Sequence, residues 1–440
     1  MPQRILLTVG ILFLGLLSDI ALAQPDLSAF QLVASALDKN QNNVLDDAEI
    51  QQAIQIWVSG TTVPGTNTAL DDPMIKGLVR FWVIQKAIFA ATPPVVEGEV
   101  GILFRDGTEC LGEDAEPLPG DVVYVSPQGN DQNPGTTPDA PLRTLAVALC
   151  NVRPGQTLRI LPGTYSESLI LGLFGNAQAP IRIQGVANNG QRPVIDGGMI
   201  RMMGIALVES TNIIVENLEF QHFTDEGLFV LAGSDITVRN SRFHDNGRAS
   251  VNPDFDGEGF GLMVDGTRRA TIEGNDVYEN GPAAERVRQA ILGTGIDTFE
   301  LKDSIIRNNR CHDNTGGGIL VEDSHNVLVE GNRIQRNELD AAGDYWDGAI
   351  WVDGGTNVTV RANTITGNHG PGLQISDEDL QFPDASFGYL VEGNSISENL
   401  FGLYLWNFGR CPFPAPEILS VKDNRIENNT QKDIWCVEYN

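Results

Sequence analysis

Residues 302–335 read KDSIIRNNRCHDNTGGGILVEDSHNVLVEGNRIQ, and this stretch writes one structural unit twice. Ile306 and Val329 stand 23 residues apart; each is followed three residues later by an asparagine, Asn309 or Asn332, and five residues later by Cys311 or Ile334. A period of this length signals a solenoid, in which a repeat buries its apolar face only by stacking on its neighbour. Working outward, the same anchor recurs at Val215, Val238, Ile272, Ile306, Val329, Val360, Val391 and Val421, with spacings of 23, 34, 34, 23, 31, 31 and 30. The longer spacings are loops inserted into an unchanged coil. The asparagines Asn275, Asn309, Asn332, Asn363, Asn394 and Asn424 then stack at the strand separation of about 4.8 Å, where amide side chains bond up and down the pile. A second column, Phe220, Phe243, Val277, Cys311, Ile334, Ile365, Ile396 and Ile426, is expected to fill the interior, with Cys311 a buried thiol.

The composition agrees with a repetitive β structure. The 440 residues include 47 glycines and only 7% aromatics, and they carry a net charge of −29. So acidic a chain repels phosphate backbones, which argues against nucleic acid as a partner.

The first 120 residues differ from the rest. Residues 1–23 have Arg4, an apolar run from Ile5 to Leu17, and Ala21-Leu22-Ala23 before Gln24, the pattern of a cleaved export signal. The run is too short to span a membrane, so a soluble, secreted or periplasmic protein is expected. Next comes DKNQNNVLDDAE, in which Asp38, Asn40, Asn42, the Val44 carbonyl, Asp46 and Glu49 fall at loop positions suited to Ca2+. Asn43 stands where glycine is usual and tolerates the left-handed backbone. Helical spacing on either side of residue 65 predicts a helix pair, and residues 24–95 resemble an EF-hand or dockerin-like module. That resemblance implies attachment to a protein partner.

An acidic, proline-containing linker is read over 96–119, with the solenoid occupying 120–440. Its opening, YVSPQGNDQNPGTTPDAPLRTLAVALCNVRPGQTLRILPGTYSE from Tyr124 to Glu167, predicts strand, loop, a short helix near Thr144 to Cys150, and strands. It resembles the start of right-handed parallel β-helix proteins of the polysaccharide lyase type, such as pectate lyases and chondroitinase-like enzymes. The resemblance implies a mainly β, right-handed parallel β-helix capped by that helix. Cys110 with Cys150 and Cys411 with Cys436 is the economical disulfide pairing at the two ends, with connectivity open.

Each coil begins with a strand such as GLFV, GIDT or AIWV. Alternation turns Phe229, Met263, Asp297, Leu320, Trp351, Gln374 and Tyr404 outward, with Leu231, Asp265, Phe299, Glu322, Asp353, Ser376 and Trp406 beside them. This is expected to be an exposed face whose aromatics stack on sugar rings while its carboxylates meet hydroxyls. Loops at 246–259, 280–295 and 337–348 would wall one side, where His369 also lies. At the strands' other end Arg268, Lys302 and His325 stack as a basic edge.

That pattern fits β-elimination or C5 epimerisation of an acidic, uronic-acid polysaccharide, which needs a base near C5 and neutralisation of the sugar carboxylate. Lys302 is read as base, Arg268 as neutraliser and Asp297 as a further catalytic or Ca2+-binding carboxylate. Asp265, Glu322 and Asp353 are candidate ligands of a second Ca2+. Phe229, Trp351, Tyr404, Trp406, Gln374, His325 and His369 are candidate substrate contacts. The aspartate-proline-histidine-aspartate signature of alginate epimerases is missing; GIDT at Asp297 is the nearest segment. Two alternatives stay open: a non-catalytic glycan-binding or surface protein, and a glycoside hydrolase using Glu322 and Asp353 on adjacent coils. His222, His244 and His312 show no metal-ligand spacing.

Overall fold

Short strands that alternate valine, isoleucine or leucine with polar residues can each bury one side only, and here three such strands per coil close their apolar sides on one another. The computed structural model describes residues 118–188, 190–248, 259–283, 293–339, 348–376, 386–406 and 416–437, the backbone of 100–103, and positions 56, 62 and 63. Contacts divide the chain into two units, Met1–Pro94 and Val95–Asn440. The β-helix lies in the second unit. Residues 1–23, the loop positions Asp38 to Glu49, both cysteines Cys110 and Cys411, and the interiors of the inserted loops lie outside the described residues.

The described strands form three parallel sheets of eleven, eleven and ten strands. The first runs from Val100–Leu103 to Lys432–Val437, the second from Val122–Val125 to Leu419–Lys422, and the third from Thr164–Tyr165 to Arg425–Glu427. The segment expected to be only a linker therefore contributes a strand, Val100–Leu103, which pairs with Ser168–Leu171.

Every expected anchor pairs with the next in register, from Val215 with Val238 through Val391 with Val421. The interior column is equally regular, and Cys311 sits between Val277 and Ile334 as a free, buried thiol. Burial pushes its pKa far up, which removes it from thiolate chemistry. The helix Leu145–Asn151 buries Leu145, Ala148 and Leu149 against the first coils. Thr144 caps its start by accepting from the Val147 amide, and the Glu167 carboxylate accepts from the Leu145 and Ala146 amides.

The asparagine ladder forms as the spacing predicts. Asn275, Asn309, Asn332, Asn363 and Asn394 each donate to the side-chain oxygen of the next at 2.8–3.1 Å, ending on Asn424. The residue before each ladder asparagine has a left-handed backbone, at Gly274, Asn308, Gly331, Ala362, Gly393 and Asp423. This is why glycine or asparagine so often precedes the ladder. A second ladder, not anticipated, runs Asn246, Asn280, Asn314, Asn337, Asn368, Asn399 and Asn429.

Two outward features also escaped the sequence reading. On the second sheet Glu216, Arg239, Glu273, Arg307, Glu330, Arg361, Glu392 and Lys422 stack in register as an alternating charge ladder. On the third, His244, Tyr278 and His312 stack with ring centroids 4.7 and 5.1 Å apart. Each imidazole bridges two carboxylates: His244 meets Asp245 and Glu219, and His312 meets Asp313 and Asp276. No described helix is long and apolar enough to cross a membrane.

Candidate functional site

The outward positions of the first sheet stack as the register predicts. Phe229, Met263 and Asp297 align, as do Leu320, Trp351, Gln374 and Tyr404, and beside them Leu231, Asp265, Phe299, Glu322, Asp353, Ser376 and Trp406. None of these side chains belongs to the apolar cluster filling the solenoid. Their expected exposure, however, is not found. Asp297 is only 4% exposed, and Asp265, Asp353, Trp351, Gln374, Ser376 and Tyr404 are buried as well; Phe229, Glu322 and Trp406 are half-buried. Large side chains repeated at strand spacing cover one another. Trp351 donates its indole N–H to Ser376, whose hydroxyl donates to Asp353, both at 2.6 Å. Tyr404 packs on Phe401 and on Trp435, with centroids 5.8 and 5.1 Å apart.

The three carboxylates proposed as a second Ca2+ site are not adjacent. Phe299 separates Asp265 from Glu322 in the column, leaving only Glu322 and Asp353 on neighbouring coils. Among the described residues no three carboxylate, imidazole or thiol groups converge as a metal cage. Among the described residues these three carboxylates therefore offer only one adjacent pair, and the reaction proposed for the chain uses no metal here.

The basic edge is assembled as expected and lies closer to solvent. Where the chain turns from the first sheet into the second, Ser234, Arg268, Lys302, His325, Thr356 and Phe387 pair one above another. Arg268 and His325 are exposed, and Lys302 is half-buried. The basic residues on the second-sheet ladder behave differently: Arg239, Arg307 and Arg361 each hold a carboxylate at 2.6 Å. Among the described residues neither Arg268 nor Lys302 has an ion-pair partner. In a chain of net charge −29, two stacked cations without ion-pair partners among the described residues suit an anionic ligand. Partial desolvation of the ring against its neighbours, and then the charge of Lys302, hold the His325 imidazole below its ordinary pKa although the residue reaches solvent. Its Nδ1 lies 2.8 Å from the Thr356 hydroxyl, which fixes the ring and leaves Nε2 for another partner.

His369 is not brought to this edge. It is exposed beside the second asparagine ladder and precedes the strand Pro371–Ser376, whereas the basic column follows the strands of its sheet. A four-residue strand separates the two edges by about 13 Å.

A family profile described as a right handed beta helix region matches residues 184–348 and 340–440. The chain belongs to the right-handed β-helix family. Among similar proteins, pectate lyase L of Dickeya dadantii is 24% identical to this β-helix over 267 residues, 56% of this chain and 57% of that one. A mannuronan C5-epimerase of Pseudomonas putida is 26% identical over 198 residues, 39% of this chain and 34% of that protein. The match spans little more than half of the first relative and about a third of the second. An alginate lyase from Paenibacillus superposes on the β-helix with a TM-score of 0.51 and 15% identity, covering 66% of this chain and 94% of that one. At that identity the likeness concerns the fold.

Thr356 and Phe387 are the members of the basic column that sequence reasoning missed. The signal was present: each column residue stands four places before its anchor, Val360 for Thr356 and Val391 for Phe387. Trp435, paired in register with Tyr404, was missed because the last strand carries no anchor of its own.

Proposed function

We propose that this β-helix is an exported carbohydrate-active protein that performs β-elimination or C5 epimerisation on a uronic-acid polysaccharide. The observation that carries the reading is the stack of Arg268 and Lys302, without ion-pair partners among the described residues, beside an imidazole held below its usual pKa. The two cations take the sugar carboxylate and offset the charge that builds when the C5 proton leaves. His325 replaces Lys302 as the preferred base, because a positively charged lysine has no lone pair to accept a proton and a neutral imidazole does. In elimination His325 takes the C5 proton, the C5–H electrons form the 4,5 double bond as the C4–O4 bond breaks, and the departing O4 gains a proton from the imidazolium or from water. In epimerisation a proton returns to C5 from the opposite face.

The buried Asp297 then acts through the packing of its strand, without touching substrate. The bond from Ser376 to Asp353 weighs against the paired-carboxylate hydrolase. Similarity to a pectate lyase and a mannuronan epimerase supports a polyuronate over a neutral glycan. The loop Asp38 to Glu49 is proposed to bind Ca2+ within an attachment module; calorimetry should show binding that Glu49→Ala abolishes.

Absorbance near the ultraviolet edge during incubation with pectate, alginate and glycosaminoglycans tests the reaction, since elimination alone makes a conjugated product. Deuterium uptake at C5 from heavy water without absorbance marks epimerisation. Neither signal with any of these polymers rejects the catalytic reading and leaves a glycan-binding protein.

A further inference from the structure

Phe387 is 48% exposed, an unusual position for so large an apolar ring, and it occupies the same column as Arg268 and Lys302, the two cations without ion-pair partners among the described residues. The column reads Arg268, Lys302, His325, Thr356, Phe387 on consecutive coils. The residue that follows each member has a left-handed backbone: Arg269, Asp303, Asn326, Asn357 and Gly388. The same local conformation on every coil gives each preceding side chain the same exit direction. The five side chains therefore form one stripe along the solenoid axis, cationic at one end, an imidazole and a hydroxyl in the middle, and aromatic at the other.

We infer that Phe387 is the stacking platform of a distal sugar subsite, and that the glycan lies along the solenoid axis on this stripe. The inference rests on the polyuronate reading and adds to it the direction of the chain, a positioning residue and a minimum length. At about 4.8 Å per coil, Lys302 and Phe387 are about 14 Å apart. A pyranose residue advances a glycan by close to one coil, so a ring whose carboxylate meets Lys302 is followed by a third ring over Phe387. The C–H face of that ring packs on the phenyl face, which removes apolar surface from water without needing a charge. Shorter chains, held through their carboxylates at the cationic end, stop short of Phe387, and chains of four or more rings reach both ends.

The probes are oligogalacturonates and oligomannuronates of two to eight rings, with Kd from calorimetry, or KM where the ligand is turned over. For the wild-type protein affinity should rise stepwise once the chain reaches about four rings. Phe387→Ala should weaken binding of the longer chains about tenfold, about 1.4 kcal/mol, leave disaccharides unaffected, and keep the unfolding midpoint unchanged; Phe387→Trp should restore the step. If both oligomer series bind the wild-type protein and Phe387→Ala changes affinity equally or not at all at every length, this inference is overturned and the polyuronate reading stands. If neither series binds at any length, both fall.

Discussion

Lys302 and His325 occupy the same position on adjacent coils and pair in register, so that a cation lies directly beside an imidazole. The pairing has a measurable consequence. Burial first, and the charge of Lys302 second, depress the histidine's pKa. Lys302→Met removes the second cause, and NMR titration should show the His325 pKa rising toward its ordinary value of about 6.5. An unchanged pKa would mean the charge of Lys302 is screened from the ring.

The asparagine ladder is predicted to stabilise most where it is dry. The Asn332 amide donates to Ile306 and Asn363, and its oxygen accepts from the Asn309 backbone and side chain. Asn332→Ala leaves those groups buried and unpaired, and should cost about 2–4 kcal/mol in urea unfolding. Asn424 makes a similar set of bonds but is half-exposed, so Asn424→Ala should cost clearly less. Equal losses would count against burial as the cause.

His244 gives the third sheet an alkaline limit. Burial opposes its charge, but hydrogen bonds to Asp245 and Glu219 outweigh that and raise its pKa to about 9. A value raised in the folded state contributes stability that is complete below about 6.5, the unfolded value, and is lost as pH climbs through about 9. The full contribution is at most roughly 3 kcal/mol. Thermal unfolding midpoints should fall across that interval, and His244→Gln should flatten this part of the profile.

The alternating ladder on the second sheet predicts a salt-sensitive variant. Arg361 lies between Glu330, which it holds at 2.6 Å, and Glu392 in register on the other side. Arg361→Glu places three carboxylates in a row and should destabilise by about 1 kcal/mol, with much of the loss recovered in molar salt. Loss independent of salt would point to packing of the arginine stem instead.

The sequence by itself determined the coil: its period, its parallel register, the asparagine pile and the interior column. Those follow from a side chain's position within a repeat, because stacked coils force equivalent positions into contact. The same rule brought Arg268, Lys302 and His325 together, and would have added Thr356 and Phe387 had the anchors been counted back four places. Only the tertiary structure decided how deep each side chain sits. Asp297 and Asp353 lie outside the apolar filling yet are buried, Asp353 accepting from the Ser376 hydroxyl that also accepts from Trp351. It also decided which charges are paired: Arg361 is matched by a glutamate on its rung, whereas Arg268 and Lys302 stack on each other. Alternation reports which way a side chain leaves the sheet; what it meets there depends on groups from other coils.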